Sequence, residues 1–484
     1  DLLALKNCLV YNRILNAFAL SVDFYFYFFG ESLSHFFYFV SFWIGSNDIE
    51  IRNGTVWGFT GNGIFADTGT TKLYIHDIVT KFNGVRDTTA VAPGSNAGIS
   101  IIGNFMLSTL INDVYIKDVQ SYGNGGIVTG SGLQIIYANR IKIERFIGND
   151  NGLVLNPFTP LGDNGFGVFL NNCNDIECIN CTTDHNGGNI LGYGIYAQLS
   201  IGMSCTQCIA NAQLAGFALD GGLGSKVAGI ALEQVANFVL RECLIADSVN
   251  FSTVTGLGVD ANGVSGISVL RCIYGLLEGC HVNDSNAPNG TANFCHGFSV
   301  LGNLFGDLSN CKDIVFKNCS AKNIGQTSSV LDAIGFSTRR DDIISNGTQD
   351  LIFDNCVVEG VSGGGSNNNG FWLYDSLRSI IKNSTIKDCV SGIGAAIMVD
   401  GAGASLTKNL LINNILHSNT EFGIFNTGNT TDTAAINNYA YHNAGGNFIG
   451  LPANTAIQTW VVGGGPIAAQ TTPSFDNFDI VQPS

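Results

Sequence analysis

The chain has 484 residues, 45% hydrophobic and only 12% charged, with a formal net charge of −16 at pH 7. No basic run occurs, and that excludes nucleic acid as a partner, since phosphate binding needs clustered Lys and Arg. No membrane span is expected either, because the apolar stretch from Phe18 to Ile44 is interrupted by Asp23, Gly30 and Glu31. The chain opens without Met or a signal-peptide pattern, which assigns no compartment.

Residues 1–45 read as an N-terminal cap or docking segment. Leu2, Leu5, Leu9, Ile14 and Leu15 are expected to form one face of a short helix. Aromatic strands follow at Phe24-Tyr25-Phe26-Tyr27-Phe28-Phe29 and Phe36-Phe37-Tyr38-Phe39. Such a segment would close an open sheet end that otherwise adds strands from another chain.

Residues 46–450 carry a repeat. Gly167 is followed fourteen residues later by Cys181, Gly194 by Cys208, Gly229 by Cys243, Gly266 by Cys280 and Gly370 by Ser384. Between Gly297 and Cys319, and between Gly335 and Cys356, the offset grows to about twenty-one, as an insertion would make it. Each Gly opens a short apolar run, such as Gly297-Phe298-Ser299-Val300, and each Cys closes another, such as Asp313-Ile314-Val315-Phe316-Lys317-Asn318-Cys319. Short β-branched and aromatic runs punctuated by Gly, Asn and Ser read as strands and turns. Gly63, Gly98 and Gly132 extend the Gly column upstream, Ala396 and Gly423 downstream; Asp77 and Asn437 stand at the same fourteen-residue offset. The expected fold is all-β, a right-handed parallel β-helix of roughly twelve rungs with capped ends. At about 4.8 Å per rung it would be about 55–60 Å long. Residues 451–484 hold four of the eight prolines and read as a C-terminal tail.

The phrases Asn47-Asp48-Ile49-Glu50-Ile51-Arg52-Asn53-Gly54 and Lys312-Asp313-Ile314-Val315-Phe316-Lys317-Asn318-Cys319 resemble the rung consensus of right-handed parallel β-helix repeats of the pectin-lyase-like superfamily. The Cys-rich, Asn-rich composition is also similar to β-helix repeat proteins of large amoeba-infecting viruses and intracellular bacteria. The resemblance implies the fold. It leaves activity open, because that superfamily contains polysaccharide lyases and hydrolases, phage tailspikes, adhesins and virion surface proteins.

Cys181, Cys208, Cys243, Cys280, Cys319, Cys356 and Ser384 are read as one packing column, in which a buried free thiol serves as a small hydrophobe. Cys178-x-x-Cys181 and Cys205-x-x-Cys208 have the form of a zinc motif. On one strand, however, the two members of each pair should point apart, and the motif does not recur at Cys243 or Cys356. Disulfides between column neighbours are disfavoured because parallel Cβ vectors hold the Cβ atoms about 4.8 Å apart, beyond the usual range. Nine N-x-S/T sequons occur. Those at Asn180, Asn318 and Asn383 are expected to lack room for a glycan.

A polysaccharide hydrolase on this fold needs paired carboxylates on one exposed face. The polygalacturonase-like order of Asn-Thr-Asp, Asp-Asp, Gly-His-Gly and Arg-Ile-Lys is not met: Arg140-Ile141-Lys142 comes first, Asp341-Asp342 follows His296-Gly297, and no Asn-Thr-Asp occurs. The histidines are scattered without ligand spacing. The remaining candidates for a carbohydrate or calcium site are Asp220, Asp260, Asp341 and Asp342, set against a reading as solvated loop charges. No cofactor and no metal is expected. The leading expectation is a non-enzymatic structural β-helical protein of a virion, fibre or cell surface, self-associating or docked to a larger assembly, with glycans as a further partner class. The alternative is a polysaccharide lyase or hydrolase, or a glycan-binding relative. A virion-surface or extracellular location is favoured.

Overall fold

A computed structural model describes residues 9–12, 41–42, 47–58, 61–68, 70–84, 96–104, 110–125, 129–152, 164–188, 190–215, 226–250, 263–286, 294–302, 311–325, 332–340, 347–365, 367–390, 394–401, 405–406, 408–427, 430–431, 433–449 and 458–462. Among them every regular element is a β-strand. The chain divides into two compact units. The first comprises Asp1–Ala218 with Gly229–Ala231, and the second Leu219–Ala228 with Leu232–Ser484. Each is a parallel β-helix.

In the first unit, a rung crosses two long sheets, and the rung at Gly187–Gly188 adds a strand to a third, short one. The strand Asn164–Asn171 belongs to the glycine sheet. After a corner at Asn172, the strands Asn174–Ile179 and Thr182–Asp184 belong to the second, outer sheet. The corners are made by residues in left-handed backbone: Asn172, Asn180 and His185 have φ of 53°, 53° and 51°. Asn tolerates this region better than most residues with a Cβ, which is why Asn punctuates the sequence. Pairing between rungs is parallel and in register, with Ile49, Leu73, Val114, Ile141, Ile176 and Met203 forming one inward row.

The glycine column has a steric cause. A Cβ at Gly63 would lie 2.7 Å from the Gly98 carbonyl oxygen, one at Gly132 2.7 Å from that of Gly167, and one at Gly167 2.5 Å from Thr183 Cγ2. Here the glycine sheet comes closest to its own next rung and to the facing sheet, so nothing larger than hydrogen fits. In the second unit the same crowding runs through Gly266, Gly297, Gly335 and Gly370 and ends against the Ala396 carbonyl.

The second unit buries two phenylalanine ladders. Phe298, Phe336 and Phe371 stack at 4.4 and 4.7 Å between ring centroids. Phe316 and Phe353 stack at 4.8 Å on the facing sheet and meet the first ladder edge-on. All five are at most 1% exposed.

Corner ladders supply the buried polar network. In the first unit, Asn83, Asn124, Asn151 and Asn186 are each 0% exposed. The side-chain and main-chain N–H groups of Asn83, Asn124 and Asn151 donate to the side-chain oxygen one rung on, at 2.9–3.1 Å. These rungs thereby satisfy the donors that their corners would otherwise orphan.

Three expectations are corrected. Leu9–Asn12 is a strand, paired antiparallel with Asn47–Trp57, and not part of a helix. The rest of 1–46 apart from Ser41–Phe42, the loops and most of the tail lie outside the described residues. Asp77 and Asn437 are exposed left-handed corners, with φ of 53° and 52°. The buried position beside Val119 and Asn414 belongs to the next residue in each case, Ile78 and Asn438. The third correction concerns Cys178-x-x-Cys181. The left-handed residues Asn180 and Gln207 reset the strand alternation, so Cys178 and Cys181, like Cys205 and Cys208, all point inward at 1% exposure or less.

Candidate functional site: a tyrosine-lined groove on the outer sheet

Asp220, Asp260, Asp341 and Asp342 lie outside the described residues. Cys181 and Cys208 occupy the buried corner of consecutive rungs, where Ile209 N donates to the Cys181 carbonyl. In the second unit Cys243, Cys280, Cys319, Cys356 and Ser384 follow the same way, and their side chains donate to carbonyls two residues back, as Cys319 Sγ does to Lys317 O and Ser384 Oγ to Lys382 O. Every described cysteine is buried and stands outside any disulfide. Burial pushes the Cys173, Cys311 and Cys389 thiols up to about 12, which keeps them neutral and poor nucleophiles. Among the described residues no group of three or more His, Cys, Asp or Glu is arranged to hold a metal ion. No helix among them is long and apolar enough to cross a membrane. Asn180, Asn318 and Asn383 are exposed at their corners, contrary to the expectation that they are crowded.

Sequence reasoning missed a different constellation. The strands Asn47–Trp57, Thr71–Lys81, Ile111–Tyr122 and Ala138–Glu144 present outward rows on the outer sheet of the first unit. One row is Asp48, Lys72, Asp113 and Arg140, all in left-handed backbone with φ of 51–58°. The next is Glu50, Tyr74, Tyr115 and Lys142, and the third Arg52, His76, Lys117 and Glu144.

The rows interlock. Tyr74 stacks on Tyr115 with centroids 4.9 Å apart and planes 6° apart, and on His76 at 4.2 Å. Lys142 Nζ lies 5.9 Å from the Tyr115 ring centre. The Tyr115 hydroxyl donates to Glu144 Oε2 at 2.7 Å. His76 sits between Glu50, 2.9 Å from Nε2, and Asp77, 2.7 Å from Nδ1. Arg140 holds Asp113 through two bonds of 2.6 and 2.9 Å, and Arg145 holds Asp118 the same way at 2.6 and 2.8 Å. Beside these groups runs a groove of about 510 Å³ lined by Asp48, Ile49, Glu50, Lys72, Leu73, Tyr74, Asp113 and Tyr115.

Its electrostatics follow from these bonds. The hydrogen bond from Arg140 holds the Asp113 carboxyl below the usual range, and that from Arg145 does the same for Asp118. Glu144 is lowered first by the Tyr115 hydroxyl, then by Arg145. Tyr115 is pushed up to about 12 by burial and by its bond to Glu144. The groove thus offers ionised carboxylates, neutral phenols and aromatic ring surface, the combination with which proteins hold polyhydroxylated ligands. The missed signal was columnar. Reading every second residue of successive rungs, Glu50 over Tyr74 over Tyr115, aligns the aromatics, whereas a search along the chain separates them.

No family model matches this chain, and no curated protein matches it. Solved structures do. The tailspike protein of E. coli bacteriophage HK620 in complex with pentasaccharide is similar at 11% identity and a TM-score of 0.42, over 88% of this chain and 64% of that one. The N-terminal fragment of bacteriophage Phi29 gene product 12 is similar at 11% identity and 0.49, over 82% and 65%. The A-module of the Azotobacter vinelandii mannuronan C-5 epimerase AlgE6 is similar at 12% identity and 0.31, over 69% and 91%. The chain thus spans less than two thirds of the length of the two phage proteins.

Proposed function

We propose that this chain is a β-helical structural protein that binds glycan in the groove beside Tyr74 and Tyr115 without cleaving it. The observation that carries the reading is the stacked Tyr74–Tyr115 pair lining a groove with carboxylate acceptors. Pyranose C–H faces pack on aromatic rings, and hydroxyls donate to carboxylates. A glycosidase needs one carboxylic acid protonated near neutral pH. Asp113 in the groove and the neighbouring Asp118 and Glu144 are displaced downward instead. That pattern favours binding over hydrolysis. In this reading the fold is the right-handed, pectin-lyase-like β-helix used as a scaffold on a virion, fibre or cell surface, self-associating through its ends.

An oligosaccharide array probed with the full chain tests it. The Tyr74→Ala/Tyr115→Ala double variant should lose at least tenfold in affinity for the glycan that the parent binds, while its thermal unfolding changes little. Retained affinity would refute the site, and release of new reducing ends from the bound glycan would refute the non-cleaving role.

A further inference from the structure

We infer that the groove selects uncharged hexopyranose chains and rejects polyuronates. This rests on the glycan reading above and adds the class of sugar. Three carboxylates, Asp48, Glu50 and Asp113, line the groove against one ammonium, Lys72. Lys117 of the third row apart, which is not in the groove lining, the basic groups of this face that an incoming carboxylate would seek already have acidic partners. Lys72 Nζ lies 3.4 Å from Asp48, Arg52 lies 3.5 Å from Glu50, and Lys142 lies 3.4 Å from Glu177 and 4.0 Å from Glu144. Arg140 and Arg145 are each committed to an aspartate through two bonds. A uronate would have to displace one of these partners or sit desolvated among like charges, and both options cost binding. The charge of the whole chain, −16, adds a repulsive field that lowers the encounter rate for polyanions. Uncharged pyranoses meet none of these penalties. Their hydroxyls donate to the ionised oxygens that repel a uronate, and their C–H faces lie against Tyr74 and Tyr115.

Calorimetric titration of the full chain at low ionic strength decides the matter, with hexaoses of β-1,4-glucan, α-1,4-glucan and β-1,4-mannan set against hexagalacturonate and hexamannuronate. At least one neutral hexaose should bind, with both uronates at least tenfold weaker at low salt and the gap narrowing as salt screens the groove. Glu177→Gln lies outside the groove lining and removes the partner 3.4 Å from the Lys142 ammonium beside Tyr115, so it should narrow the gap as well while leaving the neutral hexaose bound. Uronates binding as tightly as the neutral chains would overturn this inference and leave the glycan reading standing. Binding of neither class would overturn the glycan reading and this inference with it.

Discussion

Replacing Phe336 by Ala should remove about 3–5 kcal/mol from the second unit, the range for truncating a fully buried phenylalanine. Phe336 is 1% exposed and stands between Phe298 and Phe371, with Phe316 and Phe353 edge-on at 5.9 and 5.7 Å. One truncation therefore breaks two stacks and two edge contacts, each worth about 0.5–1.5 kcal/mol beyond burial. The vacancy cannot collapse easily. Parallel pairing fixes the rungs, as in the register Phe298 to Phe336 to Phe371, and neighbouring rings would have to leave their own partners to fill it. Because solenoid stability is a sum over neighbouring repeats, the loss should concentrate in the rungs around 294–374. Hydrogen exchange should show accelerated amides there and unchanged protection at 111–149. Uniform exchange throughout, or an unfolding transition that does not move, would refute the ladder's role.

Gly335→Ala should cost about 1–3 kcal/mol, the range for overpacking a filled core, and Gly335→Val more. An added Cβ would lie 2.6 Å from the Gly370 carbonyl oxygen and 2.6 Å from Val358 Cγ1. The carbonyl belongs to the next rung's backbone, so relief requires displacing a whole rung. Gly263→Ala is the matched control. There the nearest atom is the Phe294 carbonyl oxygen at 3.7 Å, an ordinary contact, and the smaller entropy of an unfolded Ala should leave stability equal or raised by about 0.4–1 kcal/mol. Denaturant unfolding of the three variants checks the contrast; equal effects at 263 and 335 would mean that the glycine column is not set by steric crowding.

The repeat was legible because its causes are local and recur. A glycine is needed wherever the sheets crowd, as at Gly167 and Gly335, and each occurrence marks a rung. Left-handed corners favour Asn, so Asn180, Asn318, Asn355 and Asn383 recur just before the buried corner position. The same corners explain the misreadings. Strand alternation carried through Asn180 places Cys178 and Cys181 on opposite faces, whereas a single left-handed residue puts both inside. An offset counted from Gly63 lands on the exposed Asp77 instead of the buried Ile78. The groove was invisible along the chain because Glu50, Tyr74 and Tyr115 become neighbours only through the register of successive rungs, across a connection of variable length. Charged side chains on such a face look like ordinary solvated surface until their partners in adjacent rungs are known.

A crystal structure of the full chain with a bound neutral hexaose tests the central claim most directly. It should show the sugar along the outer sheet of the first unit, with a pyranose ring against Tyr74 or Tyr115 and hydroxyls within hydrogen-bond distance of Glu50 or Asp113. A hexaose bound elsewhere, with this groove filled only by solvent, would contradict it.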